Sequence, residues 1–472
     1  MTPSLLRRTA ALLSAGLLVL APSAQAQQGL TAAQRARIDS AALQVLSATG
    51  APSASITVVL DGAIAYERAY GNARLAPDVP ATPAMRYSIG SVSKQFTAAA
   101  VMLLVEEGKL SLEDKVAKWL PDLTRANEVT VRQLLSMTSG YQDYWPHDYV
   151  FTAMQQPATP ERIMNEWAKK PLDFDPGTRW QYSNTNYVIA GVIVERVAGM
   201  PFMQFLQQRV LTPLGMTSAV NVDSAPLGPR DAGRYLRNAI GPLREAPKEG
   251  RGWLFAAGGL GMTAHDLALW DIALIEGKVL KPESHAAMQE ITRLSSGVGT
   301  TYGLGVNATL VGGRRRISHG GAVSGFLTTN EVYPDERAAI VVFANTYPGA
   351  ADPNGTLAGR IRGIIFERSD SVAAAALTRM RAVYDGLQRG TIDRTQLSAN
   401  ASAYFTDAVL ADYSASIGPL GAPKSFDAAG EFTRGGMIGR RYIVRAGERT
   451  LSVTTFTWPD GKIEQYLVER AE

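Results

Sequence analysis

The sequence predicts an α+β fold of the α/β-sandwich type: an antiparallel sheet flanked by helices, a mostly helical subdomain, and a small C-terminal α+β module. Three observations predict it. The two β-rich runs of SASITVVLDGAIAYERAYG meet at Asp61-Gly62, a strong hairpin signal. From about residue 110 to 250 the pattern turns mostly helical, with loops rich in Pro, Gly, Asp and Asn. Strand signals then return at TYGLGVNATLV, RRRISHGGAV, GFLTTNEVYP and ERAAIVVFANT. An early hairpin and a late meander make one sheet, and the helical stretch becomes an insertion between its halves.

Taken in order, residues 1–26 read as an export signal: Arg7 and Arg8, the apolar run Ala10 to Ala21, and Ala24-Gln25-Ala26 as a cleavage site. The run is shorter than the ~20 residues a bilayer span needs, so cleavage is expected after Ala26, with a periplasmic or secreted product and no stable membrane span. No cysteine occurs anywhere, so neither lipid attachment at cysteine nor disulfide stabilisation is available. Residues 31–49 look helical, the Ser91 region opens a helix, and TPERIMNEWAKK and TNYVIAGVIVERVAG are amphipathic helices. Pro334-Asp335-Glu336 turns the last two strands of the meander, and a helix near 355–367 closes a main domain spanning 27–368. Residues 369–472 form the accessory α+β module: one helix over 371–388, then strands near EFTRG, GRRYIVRAG, RTLSVTTFTW and KIEQYLVER, with Pro459-Asp460-Gly461 as a hairpin turn.

The chain has 472 residues, 46% of them hydrophobic, enough for a large core. Its net charge of +4 falls to +2 without Arg7 and Arg8, which leaves no electrostatic footprint for nucleic acid. The one dense basic cluster, Arg314-Arg315-Arg316, follows Gly312-Gly313 and reads as a solvated hairpin end. His147, His265, His285 and His319 fall at no ligand spacing, so neither a metal nor another cofactor is expected; His265 and His285 read as helix-surface residues. No Gly-x-Ser-x-Gly and no phosphate-binding Gly-rich loop is present.

The chemistry lies in three separated motifs. Ser91-Val92-Ser93-Lys94 opens the apolar stretch AAAVMLLVEEG, so a serine sits at the positive end of a helix with a lysine one turn on, a nucleophile beside its base. Alone the pattern is weak, and its weight comes from its partners. Tyr182-Ser183-Asn184 supplies a Tyr-x-Asn before a helix, and His319-Gly320-Gly321 a His-x-Gly on a strand. A hydrolase built on Ser-x-x-Lys needs such groups to manage protons and complete an oxyanion hole.

With GSVSKQFTA, LLSMTSGY, FDPGTRWQYSNTNYVIAGVIVE, LTPLGMTSA, GGLGMTAHDLALW, YGLGV and HGGAVSGF in order over roughly residues 40–350, the chain resembles the serine β-lactamase and penicillin-recognising superfamily, in particular the class C β-lactamase, DD-peptidase and esterase branch. The resemblance implies Ser91 as acylated nucleophile, Lys94 and Tyr182 as its base, and Asn184 bonding Lys94 and substrate. It also implies backbone N–H groups of Ser91 and Ala322 as oxyanion hole, with His319 and Gly321 lining the substrate strand. The C-terminal outline is similar to small NTF2-like accessory domains.

Hydroxyls that flank the strand glycine in the DD-peptidase relatives are replaced here by Gly320 and Ala322, and a histidine replaces the lysine usual in the β-lactamase branch. That shifts the expectation toward a small-molecule ester, amide or peptide substrate, handled by an esterase or a D-amino-acid peptidase or amidase. A class C-like β-lactamase or DD-carboxypeptidase is the alternative if one of Arg314 to Arg316 reaches the cleft to hold a carboxylate. The non-enzymatic alternative is a receptor that acylates on a penicillin or cell-wall peptide without turnover. Oligomeric state is left open.

Overall fold

The computed structural model describes residues 29–347, 352–367 and 371–471. The predicted export segment and the boundary near 368–369 lie outside them. The first helix, α1 (Ala32–Thr49), starts at a capping box between Thr31 and Gln34 and stops at Gly50, whose φ of 68° lies in the left-handed region. Strand β1 (Ser53–Leu60) turns through Asp61 and Gly62, at φ 53° and 78°, into β2 (Ala63–Leu75), as a two-residue hairpin requires. The short edge strand β3 (Asp78–Pro80) follows. Ser91 lies in a 3-10 turn, Gly90–Val92, that leads into α2 (Ser93–Glu106), rather than in the α-helix itself.

The inserted region contributes α3 (Asn184–Ala198), buried from Thr185 to Val194, and α4 (Ala264–Glu276) follows it. The TPERIMNEWAKK segment is one α turn, Pro160–Ile163, continued as a π-helix over Met164–Ala168. The late meander is β4 (Asn307–Val311), β5 (Arg314–Val323), β6 (Phe326–Tyr333) and β7 (Ala338–Ala344), followed by α5 (Pro353–Ile365). The first of these strands is shorter than TYGLGVNATLV suggests, because Gly305, at φ 76°, bends the chain out of extended geometry.

One seven-stranded sheet results, in the order β3-β2-β1-β7-β6-β5-β4. Its two middle strands do not show the one-sided alternation common in antiparallel sheets, since every residue of β7 is buried. The reason is that both faces are covered. Ile340 and Val342 enter a core with Ile38, Val45, Leu357 and Ile361 of α1 and α5, whereas Val341 and Phe343 enter the larger core containing α2, α3 and α4. Among the described residues no single helix is long and apolar enough to cross a membrane.

The three arginines after Gly313 are tied down within the sheet. Arg314 pairs with Glu336, Arg315 with Asp335 at 2.9 Å, and Arg316 with Glu331 at 2.8 Å, where Arg362 of α5 joins at 3.3 Å. None lines the cleft described below, so the condition for the alternative carboxylate anchor is not met.

Among the described residues a further core gathers buried side chains from Met380 to Tyr466, with Leu377 and Val468 packed against it. It joins α6 (Ser371–Gln388) to a four-stranded sheet of β8 (Ser425–Arg434), β9 (Met437–Ala446), β10 (Arg449–Thr457) and β11 (Ile463–Arg470), in that order. Two helices absent from the sequence reading, α7 (Ala399–Tyr404) and α8 (Asp407–Ile417), precede that sheet, capped by Ser398 and Thr406.

Glu331 shows how tightly the outer layer is bound: its side chain is 5% exposed and serves Arg316, Arg362 and Tyr333. Replacing it strands two guanidinium groups that keep 23% and 24% of their surface in water. Glu331→Ala is therefore expected to lower stability by roughly 2 kcal/mol, less than a fully buried pair would cost, as read from the urea midpoint.

Candidate active site

Two glycines bring the Ser91 turn against the sheet. A Cβ at Gly321 would lie 1.9 Å from the carbonyl oxygen of Ile89, and one at Gly90, whose φ is 50°, would lie 3.0 Å from the backbone nitrogen of Ala322. Backbone meets backbone where side chains would hold them apart. Ser91 and Ala322 consequently line the same cleft of about 850 Å³, with Tyr182, Asn184, His319 and Gly321. All seven predicted site residues come together, with Lys94 beneath the cleft floor.

Lys94 is fully buried, and its amine meets three oxygens: Ser91 Oγ at 3.0 Å, Asn184 Oδ1 at 2.8 Å and the carbonyl of Ala257 at 2.8 Å. Burial pulls it down from its ordinary range to about 7, and the charge of Asp143 opposes that fall. The geometry then dictates where a neutral amine points. Two of its neighbours are carbonyl oxygens, which only accept, so its two N–H bonds go to them and the lone pair faces the Ser91 hydroxyl. Helix α2 is held in place by Gln95, which donates to Asn330 Oδ1 at 2.8 Å and accepts from Trp270 Nε1 at 3.0 Å. Asn330 in turn donates to the buried carboxyl of Asp271 on α4.

The Lys94 nitrogen stands 4.9 Å from the Tyr182 ring centroid. Burial pushes the Tyr182 phenol well up, against a smaller opposing effect of the Ser91 hydroxyl, so it is a neutral O–H near neutral pH. It suits a proton relay better than a phenolate base.

His319 lines the cleft as a buried imidazole. Its Nδ1 lies 2.6 Å from the carbonyl of Gly320, which can only accept, so Nδ1 carries the proton. Its Nε2 then accepts from the Tyr302 hydroxyl at 2.8 Å. Burial, followed by the Lys94 charge, depresses it to about 3. The imidazole is neutral with both nitrogens engaged, so it offers a carboxylate neither charge nor a free donor.

Three contributors escaped the sequence reading. Tyr302 orders His319, the carbonyl of Ala257 fills the third position around Lys94, and Asp143 accepts from the backbone N–H of Asn184 at 2.9 Å and its amide at 3.1 Å. The first lay in a segment read as strand, a backbone carbonyl has no sequence signature, and the third stands 41 residues from its partner with no motif spacing. His285, expected on a helix surface, is buried, while His265 meets Glu67 at 3.0 Å. Among the described residues no three His, Cys, Asp or Glu side chains gather as a metal-holding group.

A family model described as Beta-lactamase matches residues 32–361. Penicillin-binding protein 4* of Bacillus subtilis (strain 168) is 29% identical over 301 residues, covering 60% of this chain and 66% of that protein. A D-aminopeptidase of Brucella anthropi is 28% identical over 328 residues, covering 69% of this chain and 62% of that protein. The chain thus spans a little under two thirds of the length of these relatives. Among solved structures, D-amino acid amidase from Ochrobactrum anthropi SV3 superposes with a TM-score of 0.64 at 22% identity, over 70% of this chain and 98% of that one. The octameric penicillin-binding protein homologue from Pyrococcus abyssi gives 0.61 at 21% identity, over 92% of this chain and 99% of that one. At such identities these structures share the fold.

Gly321→Ala must push β5 away from the Ser91 turn, because its Cβ cannot coexist with the Ile89 carbonyl. The expected cost is about 1–3 kcal/mol of stability, with a roughly hundredfold loss of ester hydrolysis from misplacement of the Ala322 N–H. Denaturation and activity measured on the same preparation check it, and unchanged hydrolysis counts against the close approach.

Proposed function

We propose, from the premise that this chain belongs to the beta-lactamase family, that it is an exported serine hydrolase cleaving ester or amide bonds through an acyl-enzyme on Ser91. The observation that carries the proposal is the arrangement around Lys94, whose lone pair is aimed at a hydroxyl 3.0 Å away. Neutral Lys94 takes the Ser91 proton as Oγ attacks the substrate carbonyl, and the backbone N–H groups of Ser91 and Ala322 receive the developing oxyanion. The intermediate collapses as the leaving group takes a proton from Lys94 through Tyr182. Water then attacks the acyl ester, giving its proton to Lys94, and Ser91 Oγ regains one on release. Export rests on residues 1–26, and the accessory role of residues 369–472 on their separate core.

The cleft's charge supports a substrate class. Asp143, Asp148 and Asp352 line it, and among the described lining residues there is no lysine or arginine. With His319 neutral as well, a negative field favours a substrate bearing an ammonium group and disfavours one bearing a carboxylate. We therefore propose short esters or amides with a free amine beside the scissile carbonyl, D-amino acid amides among them. The relatives named D-aminopeptidase agree with that direction.

Ser91→Ala should lower p-nitrophenyl acetate hydrolysis by about three orders of magnitude or more while leaving the fold intact. A fluorophosphonate should add its mass to Ser91 in the unaltered protein. Activity retained near the original level would show that another group is the nucleophile.

D-Alanine p-nitroanilide should be cleaved at least about tenfold faster than its N-succinyl derivative, the ratio shrinking as salt screens the cleft. Nitrocefin hydrolysed faster than the free amine substrate would overturn the charge argument.

A further inference from the structure

Asp143 touches neither Ser91 nor Lys94, yet its position determines what both can do. Its Oδ1 accepts from the backbone N–H of Trp145 at 3.1 Å, from the backbone N–H of Asn184 at 2.9 Å and from the Asn184 side-chain amide at 3.1 Å, with Oδ2 3.3 Å from that same amide nitrogen. A carboxylate so surrounded by donors accepts and does not give. The Asn184 amide therefore has one tolerable orientation. Its nitrogen faces Asp143 and its oxygen faces Lys94 at 2.8 Å. Turned over, it would set its oxygen against the carboxylate and its N–H groups against the amine.

We infer that Asp143 is a positioning residue, which locks the Asn184 amide so that the Lys94 lone pair stays on Ser91 and which supplies the negative charge that Lys94 feels across that amide. The inference rests on the hydrolase reading above for its catalytic meaning, but its geometry and its electrostatic content do not. The groups facing Lys94 from its surroundings are Ser91, Asn184, the Ala257 carbonyl, the rings of Tyr182 and Tyr187, and neutral His319. Against them Asp143 is the counter-charge that opposes burial of the amine. Burial raises the Asp143 carboxyl too, and its N–H donors and Lys94 hold it back toward the ionised form.

Asp143→Asn keeps the size and one accepting oxygen while removing the charge, whereas Asp143→Ala also frees the Asn184 amide. In protein carrying 13Cε-lysine, with the Lys94 resonance assigned by its loss in Lys94→Ala, the Lys94 titration should move down by about one pH unit in Asp143→Asn. The acidic limb of kcat/KM for p-nitrophenyl acetate, set by a Lys94 that must be neutral to act, should move the same way. Asp143→Ala should lower kcat at least tenfold with little change in KM, and Asp143→Ala combined with Asn184→Ala should be no worse than Asn184→Ala alone, since the two act as a unit. A Lys94 titration unmoved in Asp143→Asn, or losses that multiply in the double variant, would overturn the assignment. Should Ser91→Ala leave hydrolysis intact, the hydrolase reading fails, and the NMR titration still decides whether Asp143 governs Lys94.

Discussion

A primary amine with no exposure to water is the constraint around which this structure is organised. Burying the ammonium form of Lys94 is unfavourable and pulls its pKa down to about 7, toward the neutral form that can accept a proton. Neutrality alone would not make a base, because the lone pair must also be aimed. The fold meets that need with two oxygens that cannot donate, one from the Asn184 side chain and one from the backbone of Ala257. They consume both N–H bonds and leave the lone pair for Ser91. Segments from residues 91, 184 and 257 have to converge within hydrogen-bonding distance of one nitrogen, and that convergence explains much of the surrounding architecture.

Rigidity is what the convergence demands, and the sheet provides it. The two middle strands carry helices on both faces, so the part of the sheet from which β6 and β5 extend to the cleft is packed from two sides. Helix α2 is then pinned from below by the buried chain Trp270, Gln95, Asn330 and Asp271, in which each nitrogen named donates to an oxygen. The contact between the Ser91 turn and β5 needs two glycines because no side chain fits between two backbones at that separation. Backbone contact at this point holds the Ser91 turn and the Ala322 segment closer together than a side-chain-mediated interface could.

Much of this was legible in the chain, and what was not has identifiable causes. The Asp61-Gly62 hairpin, the strands of the meander and the helix over 371–388 follow from turn chemistry and periodicity, both local properties. Three motifs far apart in sequence, together with the family resemblance, pointed to seven residues that the fold brings to one place, six of them lining the cleft and Lys94 within hydrogen-bonding distance of Ser91 and Asn184. Asp143 and the Ala257 carbonyl have no such spacing, and only folding brings them to Asn184 and Lys94. The engagement of both His319 ring nitrogens could not be read from the motif, since it depends on Tyr302 and on the fold of a neighbouring carbonyl. The helices α7 and α8 had visible caps at Ser398 and Thr406, and short apolar stretches between those caps and the strands obscured them.

The histidine and the missing hydroxyls of β5 are best understood together with the state of Lys94. A cation on that strand would attract a substrate carboxylate, and it would also stand close to the amine and alter its protonation. Here the cleft-lining part of the strand offers a neutral imidazole tied to Tyr302, two glycines and an alanine, so it presents shape and backbone to the cleft without charge. When Lys94 is neutral and ready to act, the charged side chains lining the described cleft are therefore acidic. A strand that presents no cation to the cleft thus sets two properties at once: it offers no handle for anions, and it leaves the protonation of Lys94 to a balance between burial and Asp143. If Lys94 is the base proposed above, the same neutral strand that withholds a handle for anions also keeps a second cation away from its amine.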